Sequence, residues 1–366
     1  MIKSIHLNNH TTSRPFNSAI EKMISCFGVD CTEEVDVHVK LLREQFGAEE
    51  KDAFCFSSSG EDAISQVFLS TYMDFVRRTG KNHVLTPSME ESAIIDGLQR
   101  LEKIDCFHRI LPVNSQGQLT REILEEAIGP RTALVSLSWA NGLTGVVHPI
   151  TDLAQVCKEK GVLLHVDATY AIGKIYFRFQ DLDVHFLTFD GCCLYAPSGT
   201  GGIFIRSGTE FTPLHESLNI PGLAALSSSI ETISMNFDHV CMETARLRNK
   251  LEQGIKKGFP EAVVFFEHAE RLPHCCAIGF PGVAHDALLY MLQRKGITAT
   301  AGGGKFQQLS QVLTDCVVDP MLAQCALSFS LSYETTEEEI ELAINAIVSS
   351  AHKLRSISSK IMECIL

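Results

Sequence analysis

The chain has no apolar run long enough to cross a bilayer, and no apolar leader stands ahead of Ser4. Neither a spanning helix nor a secretory signal is therefore expected. A basic excess is missing too. Net charge is −13 at pH 7 and the pI is about 5.5, which argues against nucleic acid or an acidic membrane as the main partner. The thirteen cysteines lack the spacing of a secreted disulfide scaffold. An odd, scattered set reads as free thiols in a reducing cytoplasm. Repeats, low-complexity tracts and long linkers are absent. What remains is ordinary for a globular protein: 45% hydrophobic and 20% charged residues, proportions that suit packed cores. A length of 366 residues allows one large core or two modest ones.

The organising stretch is 165–206. An apolar strand over 161–166 places Asp167 at its C-terminal end. A second strand is expected over 184–189, then a small-residue turn through Gly191, Cys192 and Cys193, then a third strand over 203–206. Carboxylates at strand ends of open α/β sheets face the ligand crevice. Around this stretch, helical spacing marks 15–27, 35–46, 61–72, 96–103, 152–161, 230–257 and 284–295. Thr120 is placed to cap a further helix. Strands are expected at 54–56, 83–86, 109–113, 132–138, 262–266, 277–281, 297–301 and 327–331, with 132–138 apolar enough for burial on both faces. Strand–helix alternation through the first half implies a mostly parallel sheet with helices on both faces.

The stretch His165-Val-Asp-Ala, Gly173-Lys174, Gly191, Tyr195, Pro197, Gly199 and Gly201 resembles the core of the class V aminotransferase family, and specifically its NifS-like cysteine desulfurases. Those proteins read H-V-D-A-x-Q-A-x-G-K and then D-F-x-x-x-S-G-H-K-x-Y-G-P-x-G-x-G. The resemblance implies an α/β chain of fold type I, the pyridoxal-phosphate-dependent transferase architecture. A large domain over 16–235 would carry the mostly parallel sheet, and a smaller α+β domain would combine 1–15 with 236–366. It also implies a family cofactor, pyridoxal phosphate, with the Asp on its pyridine nitrogen and a Lys holding it as a Schiff base.

The positions that carry the family's chemistry are substituted. Cys192-Cys193 replaces the family's His-Lys, so the Schiff-base lysine is Cys193. Glu91 stands where a His stacks on the pyridine ring, and a carboxylate offers no flat π surface. Tyr170 replaces a ring-contacting Gln, and Asp190 a phosphate-binding Ser. Glu61 enters the strand–turn–helix junction after Ser57-Ser-Ser-Gly60, where helix N–H groups would cradle a phosphate. Lys305, after Gly302–Gly304, replaces the persulfide-forming Cys, and Ser328 the arginine that clamps the substrate carboxylate. Asn141 resembles a ring-oxygen contact but lies one residue further from Gly145 than the pattern asks. A deletion over 211–221 removes the Thr that reaches the partner subunit's phosphate.

These losses fall in separately anchored motifs, so a single slip of register cannot produce them. Glu61 and Asp190 are both expected to face a phosphate. A like-charge pair at ~4 Å costs roughly 4 kcal/mol at an effective dielectric near 20, close to a thousandfold in affinity. Asp167 is expected to be satisfied by backbone, Lys305 or His165. Cys192-Cys193 lacks metal spacing, and no metal site is expected. Both cysteines read as fillers of vacated space, as do Cys275-Cys276, with His274 beside them as a surface or capped His.

No catalytic residue is assigned, and no cofactor is expected to be held. The function implied is a cysteine desulfurase-like pseudoenzyme of the cytoplasm, a binding or regulatory partner in sulfur and iron–sulfur metabolism. Its partners would be a second copy of itself and a genuine desulfurase or iron–sulfur scaffold. The alternatives left open are an enzyme of altered chemistry using Lys305 or Cys193, and weak noncovalent use of pyridoxal phosphate.

Overall fold

The computed structural model describes residues 4–10, 12–214, 218–304 and 307–365, with side chains through Ile357. Twelve strands occur among them. In chain order they are β1 (Ile5–His6), β2 (Ala53–Ser57), β3 (His83–Pro87), β4 (Phe107–Leu111), β5 (Thr132–Ser138), β6 (Leu163–Asp167), β7 (Phe186–Asp190), β8 (Gly201–Ile205), β9 (Val263–Val264), β10 (Cys275–Gly279), β11 (Ile297–Thr298) and β12 (Ala326–Ser330). Seven form one sheet in the order β2-β8-β7-β6-β5-β3-β4. Only β8 runs against its neighbours β2 and β7; the other pairings are parallel. The expected mostly parallel sheet is therefore present.

All seven residues of β5 are buried, as a strand covered by helices on both faces must be. The helix Ile150–Lys160 leads into β6 and ends at Gly161, whose φ of 63° supplies the left-handed cap,. One face of the sheet packs on Phe46, Phe54 and Phe179. Phe204 on β8 has ring centroids 4.8, 5.0 and 5.6 Å from these three. The other face packs Phe68 and Ile64 of the helix Gly60–Ser70 against Phe186 and Ile203.

A helix of 39 residues, Ile220–Gly258, spans both main cores. Its Leu223, Leu226 and Ile230 join the core beside the large sheet. Its Leu247, Leu251 and Ile255 join a second core with β10, β12 and the helix Glu337–Ile365. The boundary expected at 235/236 falls inside this unbroken helix. The sheet β12-β10-β9 is antiparallel, and β1 pairs in parallel with β11.

Several element bounds differ from the periodicity. The helix after Gly60 continues through a π-helical stretch, Thr71–Val76, and stops at Gly80 rather than Tyr72. The strand expected over 262–266 is only Val263–Val264. Phe266 takes a left-handed φ of 55°, which turns the chain and buries both Phe265 and Phe266. The edge strand β4 starts two residues earlier than expected. Phe107 and Ile110 are 50% and 48% exposed there, so no clean alternation marks its start.

Candidate functional site

The loops that follow β2, β3, β6 and β7 converge at the C-terminal edge of the large sheet, where ligand crevices of open α/β sheets lie. They enclose a cavity of about 130 Å³ lined by Glu61, Glu91, Asp167, Tyr170, Asp190 and Cys193. Six positions read from separate motifs thus meet in one place. Asp167 and Glu61 share the cavity rather than lying on opposite faces of the sheet.

Asp167 closes β6 and is buried. The Thr169 backbone N–H reaches the carboxylate, as expected of backbone, whereas His165 is bonded elsewhere, contrary to expectation. Asp167 Oδ1 accepts hydroxyl hydrogens from Thr169 (2.8 Å) and from Thr188 on neighbouring β7 (3.0 Å). His165 points to the sheet interior and pairs with Ser136 (2.8 Å) and Thr188 (2.9 Å). Lys305 lies outside the described residues. Burial first, and then the Asp190 charge, push the Asp167 carboxyl up to about 6 against the pull of its two hydroxyl donors. Desolvation is the main cause, and repulsion from Asp190 a smaller one.

Asp190 closes β7, and its carboxylate does what a bound anion would do. Oδ2 accepts the Gly60 backbone N–H (3.0 Å) at the start of the helix Gly60–Ser70, and Oδ1 accepts the Cys192 N–H (2.8 Å). Gly60 is required by this approach, since a Cβ there would sit 2.9 Å from the Asp190 Cβ. Ser59 caps the same helix through the Asp62 N–H (3.1 Å). Glu61 is exposed at the mouth. Of the two acids expected at the phosphate cradle, Asp190 therefore holds the amide and Glu61 borders the opening.

Glu91 precedes the helix Ser92–Glu102 and is buried; its Oε2 accepts the Tyr170 hydroxyl (3.2 Å). The pair packs beside Cys193, whose thiol donates to the His10 carbonyl (3.2 Å). Cys192 does not fill the cavity with it. That thiol is half-buried against Ser198 (3.5 Å).

Two further expected positions are committed elsewhere. Asn141 Oδ1 accepts the N–H groups of Leu143 (3.1 Å) and Thr144 (2.9 Å), and its amide donates to Met89 O (2.9 Å). It ties its own loop together and to the loop after β3. Ser328 is buried between the Leu143 carbonyl and His10 Nε2 (2.9 Å). Cys275 and Cys276 are buried in β10, as expected of space-filling thiols. His274, expected at the surface, is buried at 5% exposure.

Sequence reasoning missed Glu90. Its Oε1 accepts the Ser138 N–H (2.9 Å) and its Oε2 the Ser138 hydroxyl (2.6 Å), locking the ends of β3 and β5 together. Burial pushes its carboxyl up to about 7. The signal was the doubled acid at a strand end, overshadowed by the substitution at Glu91. Thr169 was missed as well: its hydroxyl donates to Asp167 and accepts the Asp190 N–H (3.1 Å), joining two carboxylate strands.

The model of the Aminotransferase class-V family matches residues 7–342. A cysteine desulfurase of Bradyrhizobium diazoefficiens is 29% identical over 97% of this chain and 96% of its own. Cysteine desulfurase 2 of Trichormus variabilis is 33% identical over 85% of this chain and 81% of its own. Among solved structures, a NifS-like protein superposes with a TM-score of 0.86 at 24% identity, covering 94% of this chain and 98% of its own. Another, from Rickettsia africae, gives 0.83 at 20% identity, over 95% and 99%. At those identities the structures establish the fold type I architecture. No helix among the described residues is long and apolar enough to cross a membrane. The sheet order, the crevice at its C-terminal edge and the match along nearly the whole chain agree: the chain belongs to the class V aminotransferase family, which depends on pyridoxal phosphate, and is cysteine desulfurase-like.

Proposed function

We propose that this chain is a cysteine desulfurase-like pseudoenzyme that neither holds pyridoxal phosphate covalently nor makes a persulfide, and that works by binding. The observation that carries the reading is the Asp190 carboxylate on the Gly60 amide. A helix N-terminus attracts an anion because its first N–H groups have no intrahelical partner. Here an internal anion already uses that donor, and a phosphate would meet a fixed negative charge instead of an open amide. Cys193, at the family's lysine position, can form no Schiff base. Glu91 with Tyr170 fills the space beside Asp167, and the cavity of about 130 Å³ is below the roughly 300–1,000 Å³ of ordinary small-molecule sites. The residues present therefore do not fit the family cofactor, and no catalytic step is derived through it.

The role that follows is that of a regulatory or structural partner in sulfur and iron–sulfur metabolism, as a homodimer that engages a genuine desulfurase or an iron–sulfur scaffold. Its near full-length match to proteins named cysteine desulfurase supports that setting. The test is an absorbance scan of purified protein with added pyridoxal phosphate, before and after borohydride. The expected result is no band above about 350 nm beyond that of free cofactor, and no covalent mass gain on reduction. A band that borohydride fixes to the chain sinks the proposal.

One observation favours a second reading, noncovalent use of the cofactor. Asp167 closes β6 and lines the cavity, as a pyridine-nitrogen partner would. In the same scan that reading gives a bound chromophore that borohydride does not attach and that gel filtration removes.

A further inference from the structure

A second cavity, of about 340 Å³, lies between the helix Ile220–Gly258 and the loops that carry Lys174, Tyr195 and His274. We propose that it binds a small organic carboxylate with an apolar body. Three donors with unused capacity meet on its lining. Among the described residues the Lys174 ammonium makes one hydrogen bond, to the Cys193 carbonyl (2.9 Å), and no ion pair. The Tyr195 hydroxyl accepts the Tyr333 N–H (3.4 Å), and its own proton has no acceptor among the described residues. His274 is 5% exposed and its Nδ1 is buried without a partner. A polar group left unpaired away from water is destabilising, so an ammonium and a phenol with unused capacity on one empty volume, beside a buried imidazole, point to a ligand that pairs them.

The charge of that ligand follows from the lining. Burial first, then Lys174, His10 and Arg248, holds His274 well below its ordinary range, so the imidazole is neutral and can donate one N–H. Burial also lowers Lys174; an anion would restore the counter-charge that burial denies it. The acid on the lining, Glu243, is already held by Arg246 through both oxygens (2.7 and 2.9 Å). The apolar body follows from the walls. Phe16, Tyr195 and Tyr333 stand with ring centroids 4.8 Å apart in each pairing, and Leu247 adds to the apolar lining. The volume falls in the roughly 300–1,000 Å³ range of sites for small organic molecules. Inorganic anions would satisfy the donors but leave the aromatic wall facing water. This site does not depend on whether the first cavity takes a cofactor.

The test is calorimetric titration of the full chain with sodium benzoate and sodium hexanoate, with benzyl alcohol and inorganic phosphate as comparisons. Both carboxylates are expected to bind. Benzyl alcohol should be at least about 10-fold weaker, the effect of losing one charged hydrogen bond. Lys174→Met should weaken benzoate about 10- to 100-fold. Asn236→Trp, at the exposed mouth, keeps the floor intact and should block entry with the circular dichroism spectrum unchanged. The proposal is overturned by any of three results: no heat from either carboxylate at millimolar concentration, benzoate binding unchanged in Asn236→Trp or in a folded Lys174→Met, or phosphate binding where the carboxylates do not.

Discussion

At the scale of single residues, Asp190 decides most. It stands where the family has a serine, and its two oxygens hold the Gly60 and Cys192 amides. Replacing it with serine removes a charged acceptor from two backbone donors, a loss of about 1–3 kcal/mol that urea denaturation reads directly. The same change reopens the helix N-terminus to an outside anion. Restoring the lysine alone should not restore the cofactor. Cys193→Lys is expected to stay unlabelled by pyridoxal phosphate and borohydride at micromolar cofactor, whereas Asp190→Ser with Cys193→Lys gains label. Equal labelling of the two variants would show that the Asp190 carboxylate is no barrier. The residue types at 190 and 193 were legible in the sequence. The Asp190–Gly60 bond was not, because it joins positions 130 residues apart.

At the scale of elements, the stability of the crevice rests on the strands that end at it. Phe204, fully buried on β8, touches rings from the helix Val35–Phe46, from β2 and from the 3₁₀ turn at Phe179. Truncating it leaves a cavity among groups that cannot all collapse inward. Phe204→Ala should cost about 3–5 kcal/mol in urea unfolding. Phe107→Ala, on the half-exposed edge strand β4, should stay within about 0.5 kcal/mol. A similar cost at both positions would contradict the placing of β8 inside the sheet and β4 at its edge. The central strands could be read from the sequence, since burial on both faces leaves unbroken apolar runs. The strand β1 could not, because a two-residue pairing carries no period, and β9 and β11, expected over 262–266 and 297–301, proved only two residues long.

At the scale of the whole molecule, buried titratable groups set the pH dependence. His10 and His165 are held down at about 3 and His148 at about 4, in each case chiefly by burial, and His274 lies well below its usual range. Each takes up a proton on unfolding below about pH 6.5, so each makes stability rise with pH from its folded value to that point. Glu90 and Asp167 act oppositely. Their folded values near 7 and 6 exceed the unfolded carboxyl range of about 4, so their contribution is lost as pH rises through 6 to 7. His38, His83 and His185 are lowered by burial as well, so the histidines outweigh the two carboxyls around pH 5 and the unfolded chain binds more protons there. Stability should rise with pH there, measured by urea melts across pH 4.5–6. Glu90→Gln keeps an acceptor for Ser138 and should steepen that slope by about 1.4 kcal/mol per unit; a shallower slope would reverse the assignment.

Assembly belongs to this scale as well. Ile24, Phe27, Val29 and Val37 are each at least 60% exposed near the N-terminal helix Asn17–Ser25. An apolar patch of this kind marks an interaction surface. Size exclusion with light scattering should give about twice 40.4 kDa, as obligate interfaces above ~2,000 Å² hold at micromolar concentration. A stable monomer would set the proposed homodimer aside.

What the sequence determined by itself was the alternation of strand and helix, the placing of Asp167 and Asp190 at strand ends, and the loss of lysine, histidine and arginine from positions that needed them. Those are local properties: periodicity, residue type and spacing within a motif. The tertiary structure decided which group satisfies which. Asp167 is held by Thr188, 21 residues away on the next strand, and not by the histidine two positions before it, because alternate residues of a strand share a face while the sheet's register, rather than sequence spacing, sets the partners across it. His274 looked like a surface residue, yet it is buried where the loop before β10 meets the long helix, and only that meeting creates the cavity it lines. Polar groups in a protein are paired by whatever the fold brings within hydrogen-bond reach, and that reach is measured in space rather than along the chain.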